Sequence, residues 1–204
     1  LASTETYVDK VHIGYVEPKE YINEDGIPVH RIPYNSFLPH RIMQKLRYYK
    51  GVYNELDKFN PDFIFLHDSQ FLSIKEVRRY VKNHPNVRIN ADSHTDSRNS
   101  AKSFVSKYFL HGIVYKYCIK IITPYVGHFY GTLPARVDFL VNFYGTPREK
   151  TQLLTMGADD QYVLLAKKTH QREVIRKKYN LSESDFVITA GGKFDYAKSW
   201  ILDL

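Results

Sequence analysis

Cysteine is almost absent: Cys118 is the single thiol among 204 residues. One cysteine cannot build a disulfide framework or a cysteine-rich structural zinc site, and it fits a reducing compartment. Long apolar runs are missing too, and no basic segment followed by an apolar one opens the chain. Both absences point to a soluble, cytoplasmic protein. Low-complexity tracts and internal repeats are lacking. The P-loop pattern GxxxxGK[ST] and the dinucleotide pattern GxGxxG are not found, so neither a nucleoside triphosphatase nor a dehydrogenase is expected. Basic residues do not gather into a stripe interleaved with aromatics, which argues against nucleic acid as a partner.

What is present is core material: 43% of residues are hydrophobic and 15% aromatic. That supports one sizeable domain and part of another. The excess of 29 Lys plus Arg over 22 Asp plus Glu gives a net charge of +7. A mild preference for anionic partners follows, with nucleotide phosphates and acidic lipid headgroups both allowed. The chain opens at Leu1 without an initiator methionine and stops at Leu204 just after a strand and turn signal, so it is expected to be a piece of a longer protein.

Along the chain, Val11 to Val16 reads as a strand, Glu24-Asp25-Gly26 as a turn, and Ile27 to Ile32 as an alternating segment broken by Pro33. From Ile42 the period changes. Ile42, Leu46, Tyr49, Tyr53 and Leu56 recur at helical steps, which predicts one helix over Arg41 to Phe59. Phe63 to Leu66 is a continuous apolar run, the pattern of a strand covered on both faces. Ile74, Val77 and Val81 mark a helix closed by Asn83 and Pro85, and Val87 to Ala91 gives the next strand. Ala101, Phe104, Val105, Tyr108 and Phe109 mark another helix. Cys118 to Ile122 is read as a short buried strand stopped by Pro124. Two shorter helical pieces split by Pro134 follow, ended by Gly145. Gln152 to Thr155 is strand-like, Val163 to Tyr179 a long amphipathic helix, and Asp185 to Ala190 a buried strand turned by Gly191-Gly192. Strands alternating with helices predict βαβ units around a parallel sheet.

In such a sheet, ligands bind where strands empty into loops. Three loops qualify: FIFLHD ending at Asp68, VRINADSHTD ending at Asp96, and FVITAGGKFDYAK. His67, Asp68, Asp92, His94 and Asp96 together supply the imidazole and carboxylate donors of a divalent metal site, hence a metal-dependent phosphohydrolase as one reading. A single His94 acting on a sugar hydroxyl or phosphate by hydrogen bonding needs fewer residues, since a neutral imidazole offers one donor and one acceptor. Asp92 and Asp96 then read as loop-fixing residues, with Asp96 or Ser97 near the cap of the following helix. In the third loop, Gly191-Gly192 lets backbone amides approach an anion, and Lys193 and Lys198 converge on one phosphate-bearing ligand. A nonenzymatic anion-binding module is the remaining alternative. The helix from Arg41 to Phe59, with Arg41, Lys45, Arg47 and Lys50, is the candidate for peripheral contact with an acidic membrane.

PDFIFLHD, INADSHTDS, KIITPY, FYGTPREKTQLLTMGADD and the R-x-x-YNLSESDFVITAGGKFDYAKS segment, in this order, resemble glycosyltransferase family 4, retaining enzymes with two Rossmann-like domains (the GT-B fold). The resemblance runs from about Ile27 onward. It implies an α/β fold: a Rossmann-like parallel sheet with helices on both faces over residues 1–155, lacking its first strand and glycine-rich loop. The first elements of a second, donor-binding Rossmann-like domain follow over 156–204. It further implies a nucleotide-sugar donor, a glycan or lipid-linked acceptor, no metal and no other cofactor. His94 becomes the catalytic residue, Gly192, Lys193 and Lys198 the donor-diphosphate ligands, and His67, Asp68 and Asp92 cleft-lining residues. Met156 stands where the family usually has Asn, Lys193 where it has Arg, and Ser199 where it has Gly. Lysine keeps the charge and loses the bidentate fork. The E-x7-E stretch that grips the donor is not in the chain, so this piece alone is expected to be inactive.

Overall fold

The structure, a computed structural model, describes residues 1–9, 12–97, 100 and 104–189. Two compact units divide the chain, Leu1–Met156 and Gly157–Leu204.

The first unit is organised on a four-stranded, all-parallel sheet: β6 (Phe63–His67), β7 (Arg88–Ser93), β8 (Val126–Gly131) and β9 (Thr151–Leu153), in that spatial order. With the helices that flank it, the sheet is Rossmann-like. Parallel neighbours require crossovers, and the chain supplies them as helices. Between β6 and β7 runs α3 (Ile74–Asn83), whose Ile74, Val77, Tyr80 and Val81 fall on one face and are all buried. They pack with Ile64, Leu66, Ile89, Ala91, Val126 and Phe129 of the sheet. Burial of each large side chain contributes about 1.5–3 kcal/mol relative to exposure, so the alternation of the sequence is enough to hold this layer.

Ahead of the sheet lie a mixed three-stranded sheet and a hairpin. β1 (Ala2–Ser3), β5 (Pro28–Ile32) and β4 (Lys19–Ile22) form the first, and β2 (Glu5–Tyr7) with β3 (Ile13–Tyr15) the second. A groove of 610 Å³ lies against β6, lined among others by Ile32, Tyr49, Leu56, Phe63 and Phe65 and reaching Asp68. β6 is therefore not covered on both faces. It is the terminal strand of its sheet, and Phe63 and Phe65 are 45% and 46% exposed while Ile64 and Leu66 are buried.

Three helical expectations change. The segment Arg41 to Phe59 is two helices, α1 (His40–Leu46) and α2 (Val52–Phe59), because Arg47 takes a left-handed conformation and Tyr49 bridges to Tyr34. Cys118 to Ile122 is helical: a π-wound segment, Val105–Tyr115, continues into α4 (Lys116–Ile122), whose Cys118, Ile119 and Ile122 are buried. The strand lies just beyond it, as β8, where a helical piece was expected. α5 (Pro134–Asp138) begins at the proline and winds on as a π-turned segment, Phe139–Tyr144. Gly145, at φ 78°, ends it in the conformation that suits glycine. At the end of β8 a side chain on Gly131 would meet the backbone nitrogen of Val137 at 2.5 Å, so this strand-to-helix approach requires glycine.

In the second unit, Val163 to Tyr179 is also two helices, α6 (Asp160–Lys168) and α7 (Gln171–Lys178), separated by His170 in a left-handed conformation. Asp159 caps α6 by accepting from the Gln161 amide at 2.9 Å. Asp185 to Ile188 is not a strand, and Phe186 and Ile188 are 92% and 73% exposed. No helix among the described residues is long and apolar enough to cross a membrane.

Candidate functional site at the mouth of the parallel sheet

Strand register creates the site. His67, the last residue of β6, is paired with Asp92 of β7, and Asp92 is paired in turn with Tyr130 of β8. Register partners in adjacent parallel strands project side by side, so an imidazole and a carboxylate meet at the C-terminal edge. His67 Nδ1 lies 3.0 Å from Asp92 Oδ2. His94, two residues past Asp92, returns to the same carboxylate, with Nε2 3.2 Å from Oδ2. The two rings are 4.6 Å apart, centroid to centroid. One carboxylate oxygen is thus shared between two imidazoles.

Asp68 locks the loops together. It sits just past β6 at φ 66°, a left-handed conformation that aspartate tolerates better than most residues. From there its amide donates to Asp92 Oδ1 at 3.0 Å, and its own Oδ1 accepts from the His94 amide at 3.2 Å. Its Oδ2 faces the Arg47 guanidinium at 3.8 Å. Below this clasp, buried Gln70 accepts from Thr95 Oγ1 at 2.8 Å and donates to Ser93 Oγ at 3.4 Å. Asp96 is held from the far side by Arg136 Nε at 3.4 Å, and its backbone carbonyl accepts from the Ser100 amide.

Exposure grades across the cluster. The His67 side chain is 73% exposed, that of His94 27% and that of Asp92 9%. A buried carboxylate therefore carries one ring into solvent and one along the wall. The carboxylate also fixes the orientation of each ring, and with it the tautomer of the neutral form.

Behind the mouth lies a second polar cluster. His111, fully buried on the π-wound segment, is 2.6 Å by Nδ1 from the Tyr144 hydroxyl and 3.2 Å by Nε2 from Ser100 Oγ. Burial, and then the nearby Arg47 charge, push the His111 pKa down, while Asp68 pulls the other way. Burial raises the Tyr115 hydroxyl to about 12, and that hydroxyl donates to the Lys45 carbonyl. Arg47 lies 5.8 Å above the Tyr115 ring. Burial would lower its pKa, but Tyr115, Asp68 and the neighbouring tyrosines hold it raised.

Of the residues singled out from sequence, the structure brings His67, Asp68, Asp92 and His94 together and turns Asp96 toward Arg136. Gly192, Lys193 and Lys198 lie outside the described residues. Arg47, expected on a membrane-facing helix, lies 3.8 Å from Asp68 at the site. Arg41, Lys45 and Lys50 are exposed. Sequence reading missed Gln70, Arg136 and His111. The one available signal was that Gln70 lies two residues past the first marked stretch and Thr95 within the second. No family model and no curated protein matches the chain.

Proposed function

We propose that the chain is the acceptor-side part and the beginning of the donor-side part of a retaining glycosyltransferase. In this reading the intact enzyme moves a sugar from a nucleotide-sugar to a glycan or lipid-linked acceptor. The observation that carries the reading is the placement of His94 at the C-terminal edge of a parallel sheet, with its amide held by Asp68 and its ring by Asp92. A ring so oriented is ready to hydrogen-bond a sugar hydroxyl. Its 3.2 Å bond to Asp92 is long enough to be exchanged for one to the sugar, while His67 continues to satisfy the carboxylate.

Lys193 and Lys198 are assigned to the donor diphosphate. Departure of a nucleoside diphosphate builds negative charge, and fixed cations are most effective where that charge develops. No metal is needed for this step. Exposed Arg41, Lys45 and Lys50 are suited to the headgroups of an acidic membrane carrying a lipid-linked acceptor.

The test uses the intact protein with a panel of nucleotide-sugars, reading transfer or donor hydrolysis. Turnover is expected to persist in chelator and to fall by about 10²-fold or more in His94→Ala, the usual scale for losing a positioned hydrogen-bonding group. Turnover lost to chelator and indifferent to His94 would replace this reading with the metal phosphohydrolase. Salt-sensitive anion binding without any turnover would leave the binding module.

A further inference from the structure

The sequence offers five residues for a metal, and the structure selects three. Asp68 faces Arg47 and takes the His94 amide, and Asp96 is committed to Arg136. His67 Nδ1, Asp92 Oδ2 and His94 Nε2 converge, all within 4.8 Å of one another. We propose that these three atoms form a binding site for a zinc-class divalent transition ion.

Geometry supports the assignment. Ligand atoms at about 2.0–2.1 Å from a tetrahedral ion stand about 3.3 Å apart. The two imidazole-to-carboxylate separations, 3.0 and 3.2 Å, both lie just below that spacing. The remaining nitrogen-to-nitrogen edge closes by a turn of the His67 ring, which has room because it is largely exposed. Two imidazole nitrogens and one carboxylate oxygen suit zinc, cobalt, nickel or copper, whereas magnesium and calcium take oxygen. The Asp68 amide on the other carboxylate oxygen supplies the outer hydrogen bond that orients such a ligand. The exposed side of His67 leaves the fourth position to water.

A second cluster of the same residue types makes the contrast. Glu20, His30 and Glu55 also converge, but Lys58 Nζ already lies 2.7 Å from Glu20 Oε1. An ammonium there occupies the place an ion would take. That cluster offers one nitrogen against the two at the sheet mouth.

The site goes beyond the transferase reading, which uses no metal, and stands on ligand geometry alone. Where both hold, a bound ion takes the His94 nitrogen away from the sugar, so metal occupancy inhibits transfer and chelator restores it. The experiment is a cobalt titration of the untagged, chelator-stripped chain. One ion per chain is expected, with the visible absorption of low-coordinate cobalt, displaced by zinc. His67→Gln, on the exposed ring, and His94→Gln are each expected to weaken binding by at least about tenfold, while His30→Gln leaves it unchanged; loss of an orienting hydrogen bond alone costs that much. Circular dichroism of each variant shows that the fold is retained. Cobalt uptake that is the same in wild type, His67→Gln and His94→Gln overturns the site, as does uptake that follows His30. Either result leaves the transferase assay on the intact protein untouched, so the two ideas fail separately.

Discussion

Two histidine-carboxylate clusters in this chain are built the opposite way round. At the sheet mouth one carboxylate, Asp92, sits between two imidazoles, His67 and His94. On the smaller sheet one imidazole, His30, sits between two carboxylates, Glu20 and Glu55. The first arrangement concentrates negative charge on a side chain that is 9% exposed and places an imidazole on either side of it. The second spreads charge over side chains that are 56% and 26% exposed and adds the Lys58 ammonium. Water screens the second, and reaches the first from the exposed side of His67 while the Asp92 carboxylate stays buried. Like composition therefore gives a preorganised cluster in one place and an ordinary surface ion network in the other.

The largest effect separating the two is expected from Asp92→Ala. It removes the acceptor for two imidazoles and for the Asp68 amide, and should lower the unfolding free energy by about 2–3 kcal/mol in urea titration. A loss no greater than that of a surface substitution would erase the distinction.

Next in size is a pH effect from the histidine behind the mouth. An unfolded histidine titrates near pH 6.5, and in the folded chain burial and then Arg47 depress His111 below that. The unfolded chain thus binds the proton more readily. Neutral His111 contributes its full stability above about pH 6.5, and the contribution is lost as pH falls from there toward the depressed folded value. Unfolding midpoints measured from about pH 7.5 down to about pH 5 should fall more steeply in wild type than in His111→Gln. Parallel curves would show that burial does not hold this ring's pKa down.

The smallest effect belongs to the surface cluster: His30→Gln should cost about 0.5 kcal/mol or less, and added salt should shrink it further. A cost equal to that of Asp92→Ala would mean that exposure does not govern these clusters.

Much of the layer holding the site was readable from sequence. The apolar run after Pro61 and the alternating segment after Pro85 marked β6 and β7, and the spacing of Ile74, Val77 and Val81 marked α3. The Cys118 to Ile122 run reads as a strand because a short stretch rich in isoleucine, interrupted only by Lys120, looks the same in a buried strand and a buried helix. The break after α1 was hidden because Arg47 adopts the left-handed conformation that normally falls to glycine, so the apolar period runs on through it. At the site, strand ends announced His67, Asp92 and His94. The arginines that face Asp68 and Asp96, Arg47 just past α1 and Arg136 in α5, are distant in sequence, and nothing in local spacing indicates such pairings. Register explains the remainder: only the pairing of His67 with Asp92 turns two strand-end residues into neighbours.

The outer edge of β6 has a practical consequence for handling the protein. Among the described residues this strand pairs only with β7, and Phe63 and Phe65 stand partly exposed on its open face. An apolar edge of this kind is a template for another strand. Concentrated preparations will therefore lose material by edge-to-edge pairing while their cores are still folded. A lysine placed at Phe63 is the simplest guard, because a charge on the rim blocks docking without touching the imidazoles at the strand's other end.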